Sequence, residues 1–176
     1  MVFCLLFGIS HEFQIWNLYL FFLYEITSNL DIIMLTEQQE FRIMFVENEK
    51  DILRVIKRGL ESSETNDTSN KFKVDAYQDS EVALQSFQKH PDNYYDLVLT
   101  DLKMPKINGF ELYKRIREKN PRMKFAFMTA YDNIDKAQFA NYSSAIDPNS
   151  FISKPVTVSK LKLKLLHIIN QRYQDS

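Results

Sequence analysis

Five apolar runs alternate with five segments of helical period, and that alternation constrains this chain more than any other feature. The runs are FRIMFV (41–46), FKVDAY (72–77), YDLVLT (95–100), KFAFMTA (124–130) and SFIS (150–153). The helical segments are 49–61, 80–90, 109–120, 132–142 and 158–173. Strands alternating with helices predict an α/β doubly wound, five-stranded parallel sheet, built by right-handed crossovers with helices on both faces. YDLVLT and KFAFMTA have the continuous apolar character of strands buried on both sides. FKVDAY alternates strictly, as an edge strand does. In the first helix Ile52, Val55, Ile56 and Leu60 are expected to face inward, and in the last helix Val158, Leu161, Leu165, Ile168 and Ile169. Lys160, Lys162 and Lys164 read as the solvated side of that last helix. Asp79 or Ser80 caps the second helix, and Gly109 reads as backbone permissiveness ahead of the third.

Composition narrows the chemistry. Only three glycines occur in 176 residues, which argues against a Gly-rich nucleotide loop, and no Walker or dinucleotide fingerprint is present. The single cysteine, Cys4, cannot form an internal disulfide, and the three histidines show no metal-ligand spacing. The net charge of −1 hides an asymmetry: residues 1–41 hold five acids and no Lys or Arg, leaving 22 basic and 18 acidic residues elsewhere. The bases are spread out, with no stripe of the kind nucleic-acid binding needs.

Residues 1–40 read unlike the rest. MVFCLLFGIS and FQIWNLYLFFLY are apolar and aromatic, yet Phe13 to Tyr24 is shorter than the roughly 20 residues that span a bilayer. The stretch also lacks the flanking positive charge of a signal peptide or anchor. It reads as a membrane-associated helix, as an extra helix packed on the domain or a partner, or as upstream sequence before a true start at Met34. The domain proper is taken as 41–176, and a membrane enters only if residues 1–33 are genuine; otherwise the expected location is cytoplasmic.

In open parallel sheets, ligands bind beyond the carboxyl ends of the strands. Glu47, Asn48 and Glu49 follow the first strand, Asp101 the third, Thr129 and Ala130 the fourth, and Lys154 and Pro155 the fifth. If the strand order is 2-1-3-4-5, these residues converge on one cleft. Glu47 and Asp101 then make a hard oxygen site suited to Mg2+, which keeps several waters and takes one or two carboxylates. A carboxylate beside such a metal can attack a phosphoryl donor in line. A lysine ammonium and a threonine hydroxyl would receive the new phosphoryl oxygens. Taken singly, the same residues have plainer uses. Glu47 can favour the next helix's N-terminus, Asn48 can cap that helix, and Lys154 can be a surface lysine at a turn.

FVENE, LVLTDLKMPKINGFEL, FMTA and FISKP stand in an order and spacing that resemble the receiver (response regulator) domain of two-component phosphorelay signalling, from about Phe41 to Tyr173. The resemblance implies a flavodoxin-like sheet of order 2-1-3-4-5 and a signalling domain rather than an enzyme. It implies Asp101 as phosphoacceptor, Thr129 as switch hydroxyl, Lys154 as phosphate-pairing lysine and Phe151 as switch aromatic. It implies Mg2+ held by Glu47, Asn48, Asp101 and the backbone carbonyl of Lys103. The implied partners are a histidine kinase or phosphotransfer protein and a downstream protein, with no nucleic acid, in a stand-alone receiver. Asn48 departs from the pattern, since receivers carry a second acid there, and the lost charge is expected to weaken metal binding and slow phosphorylation. A degenerate receiver that binds a partner without phosphorylation is the alternative. Metal-assisted phosphoester hydrolysis is a further rival with no visible substrate-binding elements.

Overall fold

Side chains alternate across each strand of this protein, and that alternation divides its core into two layers. The computed structural model describes residues 39–62, 70–130 and 146–171. The chain divides into Met1–Gln38, which lies outside the described residues, and Gln39–Ser176. The apolar N-terminal segment, the expected helix 132–142 and most of the polar loop 61–71 therefore also lie outside them.

The described strands are β1 (Glu40–Val46), β2 (Lys71–Tyr77), β3 (Leu97–Asp101), β4 (Phe125–Ala130) and β5 (Phe151–Lys154). The described helices are α1 (Lys50–Glu61), α2 (Ser80–Lys89), α3 (Gly109–Lys119) and α4 (Val158–Asn170). The strands form one parallel sheet in the order β2-β1-β3-β4-β5, so strictly alternating β2 is an edge, as expected. Ile43, Phe45, Leu97, Leu99, Ala126, Met128 and Ile152 point to one face, where Ile56 and Leu60 of α1 and Leu161 and Leu165 of α4 cover them. Met44, Val46, Val98, Phe125 and Phe127 point to the other, beneath Phe87 of α2 and Phe110, Leu112 and Ile116 of α3. Phe45 and Phe127 have no solvent exposure. Burial of each contributes roughly 1.5–3 kcal/mol.

Several expectations need correction. Val55 is 66% exposed, and Leu53 takes its place beside Ile52 against the core. The inward stripe of α1 is thus 52, 53, 56 and 60, with Leu53 in place of Val55. Asn48 does not cap α1; that position falls to Glu49, whose side chain makes no capping bond. The last strand begins one residue later than expected because Ser150 closes a 3-10 turn, Pro148–Ser150, capped by Asp147. Lys154 is therefore the last residue of β5 and Asp101 the last of β3. Gly59, inside α1, is needed for packing: a Cβ there would come within 2.5 Å of Val158 at the start of α4. The close approach offsets the roughly 0.5–1 kcal/mol that a helical glycine costs.

Lys162 is the largest departure. It is buried rather than solvated, and its ammonium donates to the Ser62 carbonyl at 2.7 Å, at the C-terminus of α1. Burial holds its pKa below the ordinary lysine value. Lys119 of α3 likewise donates to the Gln88 and His90 carbonyls at 3.0 and 2.9 Å, at the end of α2. Lys124 donates to the Ile169 and Gln171 carbonyls at the end of α4. These cations satisfy carbonyls that a helix leaves without partners and oppose the negative end of its dipole.

Substituting Lys162→Ala is expected to cost about 1–3 kcal/mol, while Lys160→Ala stays within about 0.5 kcal/mol of the parent. Urea unfolding of both variants measures the contrast, and equal effects would refute the capping role of Lys162.

Candidate functional site

The parallel register brings the carboxyl ends of β1, β3, β4 and β5 to one edge of the sheet. Asp101 pairs with Met128, and Ala130 pairs with Lys154, so the two groups face each other across β4. Glu47 follows β1 directly and has no solvent exposure, while Asp101 is buried. Lys154 joins them: its Nζ lies 2.7 Å from Glu47 Oε2 and 2.9 Å from Asp101 Oδ1. Backbone amides take the remaining oxygens. Glu49 N–H donates to Glu47 Oε1 at 3.1 Å, and Lys103 N–H donates to Asp101 Oδ2 at 3.2 Å. Among the described residues, no buried side-chain nitrogen or oxygen lacks a hydrogen-bond partner.

Burial alone would push the Lys154 pKa down. Hydrogen bonds and charge from Glu47 and Asp101 more than offset this, so it is raised above the ordinary 10.5. The ammonium stays charged, and the two carboxylates share one counterion.

The other expected residues fall around this triad. Thr129 is buried on β4 beside Asp101's partner Met128, and its hydroxyl donates to the Ala130 carbonyl at 3.1 Å rather than to Asp101. Lys103 lies in the loop after β3, with its amide already on Asp101. Asn48 is half-buried next to Glu47, and its backbone carbonyl accepts from Gln78 Nε2. Phe151 sits at the opposite end of β5 from Lys154, stacked on Phe127 with ring centroids 5.2 Å apart and 6.3 Å from Phe110.

Gly109 belongs to the site for a reason the sequence did not disclose. It lies outside the left-handed region, yet a Cβ there would come within 2.5 Å of the Asp101 carbonyl and 3.0 Å of Leu102 Cα. Its amide donates to the Leu102 carbonyl at 3.0 Å, which draws the N-terminus of α3 against the end of β3. Asn108 caps that helix by accepting from the Glu111 amide at 2.9 Å. The segment from Asp101 to Gly109 is a closed loop presenting the carboxylate.

Among the described residues, no three acid, histidine or cysteine side chains cluster as a cation cage. Two carboxylates with neutral amide and carbonyl oxygens nearby still form an all-oxygen donor set. That set fits a hard cation that retains most of its waters, and fits poorly a soft metal that wants nitrogen or sulfur.

A family model described as the response regulator receiver domain matches residues 43–166. The transcriptional regulatory protein ZraR of Klebsiella oxytoca is 38% identical over 82 residues, covering 47% of this chain and 18% of that protein. The response regulator ArlR of Staphylococcus aureus is 26% identical over 133 residues, 76% of this chain and 54% of its own length. The chain thus spans about half or less of these curated relatives. Among solved structures, a response regulator receiver domain protein from Clostridium thermocellum is similar at TM-score 0.61 and 28% identity. It covers 74% of this chain and 94% of that one. The Vibrio cholerae chemotaxis protein CheY4 shares the fold at TM-score 0.59 and 20% identity, over 73% of this chain and 98% of that one.

Removing Lys154 leaves the buried Glu47 carboxylate without its counterion. Lys154→Met is expected to destabilise the protein by about 3 kcal/mol, and Glu47→Gln with Lys154→Met by less than the sum of the singles. The raised pKa fixes the pH dependence. The Lys154 contribution is lost as pH climbs from 10.5 through the raised value, so the gap between parent and Lys154→Met should hold from neutral pH to about pH 10.5 and close at strongly alkaline pH. Gly109→Ala is expected to cost about 1–3 kcal/mol through overpacking against Asp101. Denaturant unfolding measures each.

Proposed function

The chain belongs to the response regulator receiver domain family, and on that premise we propose that it accepts a phosphoryl group on the Asp101 carboxylate and signals by binding a partner. Receiver domains are signalling domains rather than classical enzymes. The observation that carries the reading is the triad itself: a carboxylate at the end of the central strand, with a lysine ammonium 2.9 Å from one oxygen.

In the proposed step an Asp101 oxygen attacks the phosphorus of a phosphohistidine on a histidine kinase or phosphotransfer protein. An O–P bond forms, the P–N bond breaks, and the electron pair leaves with the histidine nitrogen, which then takes a proton. Asp101 exchanges a single negative charge for an acyl phosphate with three acceptor oxygens. Lys154 is already in place to pair with one of them. Thr129 can turn its hydroxyl from the Ala130 carbonyl toward another, since a hydroxyl rotates to suit its acceptor. Movement of Thr129 on β4 would be felt at Phe151, which packs on Phe127 of the same strand.

Asp101, the Lys103 carbonyl, Asn48 and Glu47 are the groups that would hold Mg2+. A bound Mg2+ would offset the repulsion between the incoming phosphoryl oxygens and the two carboxylates. Glu47 already divides its oxygens between Lys154 and the Glu49 amide, so its charge counts for more here than its lone pairs. Asn48 supplies an oxygen without charge, which lowers cation affinity relative to an acid at that position.

A second reading has its own support. The Lys154 ammonium satisfies both carboxylates by itself, as a phosphorylation-independent binding module would require. Further proposals are a domain beginning near residue 41 and a cytoplasmic location. Among the described residues, no helix is long and apolar enough to cross a membrane.

Intact-mass spectrometry with a small phosphodonor and Mg2+ decides between the readings. The expected result is a gain of one phosphoryl group in the parent, none in Asp101→Asn, and a lower Mg2+ requirement in Asn48→Asp. No gain in the parent at any Mg2+ concentration would favour the phosphorylation-independent module.

A further inference from the structure

Gln78 and Asp79, between β2 and α2, and Ser80 at the start of α2 take no part in the chemistry above, yet this segment is bonded to both loops that would carry the cation donors. On one side Gln78 Nε2 donates to the Asn48 carbonyl at 3.0 Å, and just before it the Tyr77 carbonyl accepts from the Glu47 amide at 3.1 Å. On the other side Ser80 Oγ donates to the Pro105 carbonyl at 3.4 Å. Lys106 Nζ lies 2.7 Å from Asp79 Oδ2 and 2.9 Å from Glu81 Oε2. Asp79 divides its carboxylate between two tasks: Oδ1 caps α2 by accepting the Glu81 and Val82 amides, and Oδ2 takes the lysine. The hydrogen bond from Lys106 is the main cause holding the Asp79 carboxyl below its ordinary value.

Lys106 has φ of 63°, a left-handed conformation uncommon for a residue with a long side chain. Such a conformation persists only where the surroundings over-determine it. Here the surroundings are the two carboxylates at the start of α2.

We propose that Gln78–Ser80, tied through Lys106, is a positioning clamp that sets the spacing between the Asn48 loop and the Lys103 loop. It thereby sets how tightly the cleft holds a divalent cation. Lys106 and Asp79 are positioning residues, and the cation part of the inference rests on the cleft being the phosphoryl site. The Lys106 side chain is 54% exposed, and exposed ion pairs add little to global stability. The clamp therefore acts on local order, which separates it from a purely structural tie.

The test uses the full chain with Lys106→Ala, Lys106→Arg and Asp79→Asn. The last keeps an oxygen to cap α2 while losing the charge that holds Lys106. Without metal, amide hydrogen exchange over 47–49 and 101–109 is expected to quicken about threefold to fivefold in Lys106→Ala and Asp79→Asn, the scale of an exposed ion-pair network. Lys106→Arg should match the parent, and the thermal midpoint should scarcely move. With a small phosphodonor, the Mg2+ concentration giving half-maximal phosphorylation should rise by a similar factor while the rate at saturating Mg2+ is retained. Unchanged exchange in both loops would overturn the clamp. So would a lower saturating rate at an unchanged Mg2+ midpoint. Faster exchange in Lys106→Ala and Asp79→Asn, together with a parent that takes up no phosphoryl group, would uphold the clamp and overturn the reading of the cleft as a phosphoryl site.

Discussion

The Lys154 ammonium lies between Glu47, which has no contact with solvent, and Asp101 at the end of the central strand. Removing a carboxylate from water costs several kcal/mol even after relaxation, and two close together also repel each other. The shared cation offsets both penalties. It also depends on the whole sheet being right, because its three members come from the ends of β1, β3 and β5, and β4 spaces the last two. A shift of β5 by one residue would turn Lys154 to the other face and leave Glu47 without its counterion.

The layered fold was legible because it rests on periodicity. Strands with two buried faces read as continuous apolar runs, the edge strand alternated, and the strand order could be matched through a sequence resemblance. The ends of β1, β3, β4 and β5 then indicated which polar residues could meet. What escaped depended on packing that no local pattern records. Val55 and Leu53 are equally apolar, and only the rotation of α1 on the sheet decides which is buried. Lys162 has the spacing of a surface lysine, and its burial follows from where α1 ends. Gly59 and Gly109 look alike as glycines, but one admits a side chain of α4 and the other admits the backbone of β3. The links from Gln78 to Asn48 and from Lys106 to Asp79 cross between separate loops, and nothing in the composition of either loop announces them.

The cleft combines two properties that pull against each other. It is complete without a metal, since one lysine satisfies both carboxylates. It also brings together a carboxylate, an ammonium and, on β4, a hydroxyl, the groups the proposed phosphoryl site would use. On the proposed reading, Asn48 would move the balance toward the first property by withholding a charge from a bound cation. The loops on either side, fastened to the β2–α2 turn, bear on the second by fixing where the oxygen donors stand. On the proposed reading, Asn48 and the exposed tie at Lys106 would act on the same quantity from different directions.

The lysines that close α1, α2 and α4 come from other elements: Lys162 reaches Ser62 across 100 residues of chain, and Lys119 reaches His90 across 29. Helix termination here is local in its cap bonds and tertiary in its lysines. A peptide cut to the bounds of α1 or α2 carries its apolar stripe but not its stop, so its last turn would fray in isolation. The last turns of these helices therefore draw on elements far away in the chain, which ties helix length to tertiary packing.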